Sequence, residues 1–149
     1  MKLNTIKFGE VEVDESLAFN FLDPILGYEY IKRYVLIDYN PDSAFKWLQA
    51  VEDLSVAFPV TIPALFGIDY IFTIPEEQAK ILELNSIEDV LTLNIVNIPT
   101  SHPEQSTVNL LGPIVININN KNAIQMILQD DRYSVRYKLF KEGETSVKV

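Results

Sequence analysis

Hydrophobic and polar residues alternate with a period of two along residues 113–128. Ile114, Ile116 and Ile118 are interleaved with Val115, Asn117 and Asn119. After Asn119-Asn120-Lys121-Asn122 the chain resumes with Ile124, Met126 and Leu128, alternating with Gln125. Side chains two apart share one face of a strand, so each run predicts a strand that turns one row into a core. The Asn-rich connection predicts a β-hairpin, because Asn tolerates the left-handed backbone of a tight turn. Pro113 lacks an amide proton and suits the first position of a strand.

The same reading extends along the chain. Residues 1–21 predict two short strands, and Asp23-Pro24-Ile25-Leu26-Gly27 predicts a turn. Residues 34–38 predict a buried strand that ends at Asn40-Pro41-Asp42-Ser43. Phe45, Trp47 and Gln49 fall on one strand face and Lys46, Leu48 and Ala50 on the other, although residues 47–51 hold no breaker and also fit a helix. Residues 56–60, punctured by Pro59, suit an edge or bulged strand. Residues 70–74 predict a further strand. Residues 76–84 predict the main helix, opened by Pro75 and by two acids at the positive end of its dipole. A shorter turn follows at 86–89. Residues 89–98 predict a long strand, with Val90, Thr92, Asn94 and Val96 opposite Leu91, Leu93 and Ile95. An exposed loop at 99–106, a turn at 130–132 and a last strand at 133–137 complete the pattern. The expected fold is mainly β: a single-domain antiparallel β-barrel-like fold with one or two short helices over 1–140, and a flexible tail over 141–149.

Composition narrows the chemistry. The chain has 149 residues, 48% of them hydrophobic, which suits one domain with a sizeable core. It has no cysteine, which excludes disulfides, thiolate nucleophiles and Cys-ligated metals. Twelve Lys and Arg against 21 Asp and Glu give a net charge of −9. Such a surface repels phosphate backbones and attracts basic partners, or simply keeps the protein soluble. No basic-then-apolar leader opens the chain, and its apolar runs fall short of the ~18 residues of a membrane span, so a cytoplasmic protein with no membrane contact is expected.

Reactive groups are few. His102 is the single histidine and lies in a proline-flanked polar loop; five glycines form no phosphate-binding fingerprint. Adjacent acids occur at Glu52-Asp53, Glu76-Glu77, Glu88-Asp89 and Asp130-Asp131, but neighbours on a strand point apart and do not converge on a substrate. No cofactor, no metal and no enzymatic activity are expected. Aromatic residues gather at Phe45, Trp47, Phe58, Phe66, Tyr70 and Phe72. They read as core, or, beside Glu52-Asp53, as a peptide-docking edge.

Three segments in order carry a family resemblance. Ser106-Thr-Val-Asn-Leu-Leu-Gly-Pro-Ile-Val-Ile-Asn117, followed by Gln125, Leu128, Asp130 and Tyr133-Ser-Val-Arg136, resembles the FliW flagellar assembly factors. Pro24-Ile-Leu-Gly-Tyr-Glu29 is similar to that family's Gly-Phe-Glu-type turn. Phe45-Lys-Trp-Leu-Gln-Ala-Val-Glu-Asp53 is similar to its aromatic-Leu-Gln-Ser strand, with Ala50 where Ser is usual. The similarity spans residues 1–139. It implies a small cytoplasmic chaperone-like factor that binds flagellin and antagonises the RNA-binding translational regulator CsrA, without touching nucleic acid itself. Charge alone points to imitation of RNA, whereas the resemblance points to allosteric antagonism. Its strand and the acid–aromatic composition together nominate Phe45, Trp47, Gln49, Glu52, Asp53 and Phe58 as partner-binding residues. The residues read without the resemblance also allow an acidic barrel that binds a small ligand, or a hydrolase built from scattered carboxylates.

Overall fold

Residues 1–141 are described by a computed structural model; apart from Lys141, the expected tail lies outside the described residues. The strands are β1 (Lys2–Thr5), β2 (Gly9–Glu12), β3 (Phe19–Asp23), β4 (Arg33–Ile37), β5 (Lys46–Ala50), β6 (Ala57–Thr61), β7 (Val90–Asn97), β8 (Thr107–Val108), β9 (Ile114–Asn117), β10 (Asn122–Gln125) and β11 (Tyr137–Lys138). One α-helix, α1 (Glu76–Ile81), and four 3₁₀ turns accompany them. Three strands, not two, occupy the N-terminal stretch, and Leu17 lies in the 3₁₀ turn Glu15–Leu17 rather than in a strand. α1 is shorter than predicted because Leu82 caps it and Glu83 takes φ 57°.

The strands close into a barrel. Around the ring run β7, β6, β5, β4, β3, β10 and β9, and β9 pairs back onto β7. A ring whose neighbours are all antiparallel needs an even number of strands, and this one has seven. The odd step falls between β3 and β10, which run parallel with a register shift between Ala123 and Ile124. The antiparallel barrel expected from the pattern forms, with one parallel seam. β8 and β11 extend from the end of β7, and β1–β2 form a separate hairpin.

The barrel interior is filled by Phe21, Tyr34, Leu48, Ile114 and Ile116 with their neighbours. The predicted hairpin forms, with Ile116 opposite Ala123 and Val115 opposite Ile124. Its burial differs from expectation: every residue of β9 is buried, on both faces. Ile114 and Ile116 enter the interior, while Val115 joins Leu82, Ile124 and Met126 in an outer cluster. In the turn the left-handed residue is Lys121 (φ 65°), and the asparagines serve as acceptors instead. Asn117 Oδ1 accepts from the Asn119 amide and Asn120 Oδ1 from the Asn122 amide. Asn117 Nδ2 also donates to the Leu82 carbonyl at 2.7 Å, tying the end of α1 to the hairpin.

β7 behaves as its alternation predicts. Leu91, Leu93 and Ile95 face the interior, and Val90 and Val96 join the two outer clusters. Residues 66–74 cover those clusters: Phe66, Ile68 and Tyr70 pack on one, Phe72 and Ile74 on the other. Their period-two burial is that of extended chain, yet among the described residues, residues 70–74 pair with no strand. The predicted strand is thus a strap that packs like one. Residues 133–136 likewise cross the outer layer without a ladder, and strand pairing resumes only in β11.

Pro59 sits in the middle of the sheet, with β5 on one side of β6 and β7 on the other. The Ala50 amide donates to the Val56 carbonyl, which makes residues 50 and 56 a hydrogen-bonded pair, so the Trp47–Pro59 pair needs no amide from Pro59. The ladder to β7 covers only Val60 and Thr61. Pro59 therefore stands where the two strands part.

Gln125 locks the parallel seam. Its Oε1 accepts from the Leu26 amide at 2.7 Å and its Nε2 donates to the Gly112 carbonyl at 3.1 Å. Gln125→Leu leaves two polar backbone groups unpaired, and we expect a loss of about 2–4 kcal/mol in urea unfolding. Tyr34, by contrast, is buried with its hydroxyl unpaired. Tyr34→Phe is expected to unfold at the same urea concentration or higher. A Gln125→Leu protein as stable as the parent would remove the seam from this account.

Tyr70 gives a pH test. Its hydroxyl donates to the Leu110 carbonyl at 2.6 Å, and burial pushes it up to about 12. The folded state therefore favours the neutral phenol. That contribution is complete below the unfolded value of about 10 and is lost as pH rises from there towards 12. Stability measured from pH 9 to 12 should fall less steeply in Tyr70→Phe than in the parent.

Candidate functional site

The six nominated residues do not share one surface. Phe45 and Gln49 are buried, at 1% and 0% exposure. Phe45 stacks on Phe66 at 5.6 Å and anchors an outer cluster. Gln49 Nε2 donates to the carbonyls of Ala50 and Val56, at 3.0 and 3.1 Å, and so holds the β5–β6 connection closed. Neither side chain is available to a partner in this conformation. Phe58 pairs with Leu48 across the ladder, on the face of β6 that packs on the barrel interior, with its ring 4.9 Å from Tyr28.

Glu52 and Asp53 lie in the β5–β6 turn, and both carboxylates have internal work. Glu52 Oε1 accepts from the amides of Lys32 and Arg33, at 2.7 and 2.9 Å. Asp53 Oδ1 accepts from the Ser55 hydroxyl and amide, and Oδ2 from the Tyr30 hydroxyl at 2.8 Å. These bonds, with the Ser55 hydroxyl first, hold the Asp53 carboxyl below the usual range. The acids fix the turn against β4. Their charge remains, but most of their lone pairs are spoken for.

Trp47 is different. It faces outward, opposite Pro59, with Lys7 Nζ 4.1 Å from its ring centroid and the Phe8 ring edge-on at 5.7 Å. Phe8 in turn lies 5.3 Å from Tyr39. Trp47 also stands between two clefts and lines both, together with Ile98. One, of about 620 Å³, opens where β6 and β7 part and runs from Pro59 to Asn109 and Arg136. The other, of about 340 Å³, is bounded by Lys7, Tyr39, Ser43 and Pro103. An aromatic anchor between concave surfaces is the arrangement that concentrates binding energy at protein interfaces. Lys7, Phe8, Tyr39 and Ile98 were not gathered by sequence reasoning, because three separate segments bring them to Trp47.

His102 Nδ1 lies 3.2 Å from Glu104 Oε1 on an exposed loop. Among the described residues, no group of three or more His, Asp or Glu side chains is placed to hold a metal. No helix of the described residues is long and apolar enough to cross a membrane.

Known proteins share both sequence and fold with this chain. Residues 2–139 match the family model described as FliW protein. The chain is 35% identical over 147 residues to the flagellar assembly factor FliW of Leptospira interrogans serogroup Icterohaemorrhagiae serovar copenhageni, covering 99% of this chain and 98% of that one. It is 41% identical over 133 residues to the flagellar assembly factor FliW of Caldicellulosiruptor bescii, covering 89% and 86%. The crystal structure of a flagellar assembly factor FliW is similar in fold, with a TM-score of 0.88 at 26% identity over 97% of this chain and all of the other. The family model spans every barrel strand and the Trp47 face, and the relatives match across nearly their whole length; the chain belongs to the FliW family of flagellar assembly factors.

Proposed function

We propose that this chain is a non-catalytic binding factor in the cytoplasm that holds flagellin and antagonises a CsrA-type translational regulator. Flagellin that accumulates occupies the factor and releases the regulator to repress flagellin synthesis; secretion of flagellin reverses the exchange. The observation that carries this reading is family membership across residues 2–139. The physical picture is compatible with it. A barrel with a packed interior leaves binding to its outer surface, and a net charge of −9 suits a partner that is basic because it grips RNA.

The partner-facing role falls on Trp47 and the clefts beside it, with Glu52 and Asp53 at the adjoining turn and Phe58 in the lining of the larger cleft. Trp47→Ala should weaken binding to at least one partner about 30-fold, the scale of an interfacial hot spot, while leaving the fold intact. Glu52→Gln should mainly lower the melting temperature, since Glu52 holds two amides of β4 and its approach. Unchanged affinity of Trp47→Ala for both purified partners would overturn this placement.

Antagonism is read as allosteric, and salt separates it from imitation of RNA. At ~0.15 M salt the Debye length is about 8 Å, so exposed charges weaken while desolvated apolar contacts persist. An apolar anchor predicts that salt chiefly slows association, with a ternary complex of factor, regulator and RNA detectable. Association and dissociation rates across a salt series, with RNA as competitor, test this. An apparent Kd that rises in strict proportion to RNA, without a plateau, would mean simple competition.

A further inference from the structure

Beneath the strap at residues 70–74 lies another cleft of about 620 Å³, closed on its far side by residues 84–87 and by Val90 and Thr92 of β7. Its lining is mainly apolar, and Ile71 and Ile87 stand at its margin 61% and 77% exposed. Side chains of this size left in water on both lips of a concave surface ask for an occupant.

Backbone groups are open there too. The Ile71 amide donates to the Tyr133 hydroxyl at 2.8 Å, and the same hydroxyl donates to the Ile71 carbonyl at 3.1 Å. Among the described residues no hydrogen bond reaches the backbone of Phe72, Thr73 or Ile74. In extended chain successive residues direct N–H and C=O to opposite edges, so Phe72 and Ile74 share the edge away from Tyr133. β7 has a matching opening. The Ile118 amide donates to the Asp89 carbonyl, which makes residues 89 and 118 a hydrogen-bonded pair and turns the backbone groups of Thr92 away from β9. On that side β6 pairs with β7 only at Ile95 and Asn94, then leaves for the 3₁₀ turn Pro63–Phe66.

Charge identifies the chemistry of the occupant. From Asp69 to Asp89 the chain carries six acids against Lys80 alone, a net −5 of the protein's net −9. Lys80 is engaged by Glu76 at 3.4 Å, and Asp69, Glu77 and Glu88 have no ion-pair partner among the described residues. These acids neighbour in sequence the residues that line the cleft.

We propose that this cleft takes an extended peptide segment of a partner protein, alternating apolar residues with Lys or Arg, which adds as a strand to the open edge of Phe72 and Ile74. Apolar side chains enter the cleft, main-chain hydrogen bonds set register, and the basic residues meet the acids that adjoin its lining in sequence. This deepens, and rests on, the reading of the chain as a factor that holds other proteins.

The test uses the whole chain and a synthetic peptide of alternating Lys and Ile. Amide chemical shifts and hydrogen exchange should change at Phe72, Ile74 and Thr92. N-methylation of alternate peptide residues, which removes the donors, should weaken binding about tenfold or more. Replacing Lys by Glu in the peptide should abolish binding, and the exposed double change Ile87→Arg with Glu88→Lys should reduce it about tenfold with the amide spectrum otherwise retained. Shifts confined to the Trp47 face, equal binding of the N-methylated peptide, or equal binding of the Glu peptide would each overturn the proposal. Failure of both purified partners to bind the parent chain would sink the reading above, and the peptide result would still decide the cleft.

Discussion

Closure of a seven-membered ring is the constraint from which the rest of the architecture follows. An odd ring cannot be antiparallel throughout, so one seam must join parallel strands, and parallel neighbours cannot be joined by a tight turn. Here the seam joins Asn20–Asp23 to Asn122–Ile124. The segments it unites lie about a hundred residues apart, and short-range order cannot set their register. A side chain and a backbone bond do so instead: Gln125 bridges the Leu26 amide and the Gly112 carbonyl, and the Asn20 amide donates to the Lys121 carbonyl. Gly112 belongs to the same lock, because a Cβ there would stand 2.8 Å from Gln125 Nε2 and 2.9 Å from Asn109 Nδ2.

Closure also explains why clefts arise on the outside of the barrel. With the interior filled, the second faces of β7, β9 and β10 need covering, and the connections do the covering. A strap laid across a curved wall meets it at discrete clusters, here at Tyr70 and at Phe72, rather than continuously. Spaces remain where the curvature of the wall and the path of the strap disagree. The clefts beside Trp47 and beneath residues 70–74 are such spaces, bounded by rigid strands on one side and by unladdered chain on the other.

Much of this was legible as alternation. Residues 90–97 and 114–125 each advertise two faces and pair as strands, and Ser86 and Pro75 mark the turn and helix they precede. Alternation misleads at residues 70–74, because a period of two reports extended chain with one side covered and says nothing of a ladder. Pro59 misleads in the opposite sense: its missing amide signals an edge, but antiparallel pairing leaves every second amide unused on a given side. Phe45 and Gln49 share a parity with Trp47, yet the outer face of β5 is itself overlaid near Phe45 by Phe66, and Gln49 is consumed by its own turn. Parity assigns a face, and whether water reaches that face depends on what else folds over it. The family resemblance supplied what periodicity lacked, since it compares whole arrangements rather than local patterns.

The acids of this chain divide in the same way between local and distant meaning. Asp14, Glu29, Asp53 and Asp130 each accept hydrogen bonds from nearby groups, led by Ser16, Gly27, Ser55 and Arg132, and each is held below its usual pKa. They stay ionised at neutral pH and therefore contribute to the protein's long-range negative field. Their oxygens are nevertheless committed, so they offer a partner little at contact distance. Acids between Asp69 and Asp89 contribute to the same field, and several keep their oxygens free of ion pairs. Encounter rate then depends on the whole charge of −9, whereas the place of contact depends on which carboxylates still have lone pairs to give. Adjacent acids look alike in sequence at Glu52-Asp53 and at Glu76-Glu77. What separates them is whether a backbone amide has already claimed the carboxylate, and that is settled by the turn or helix in which each pair sits.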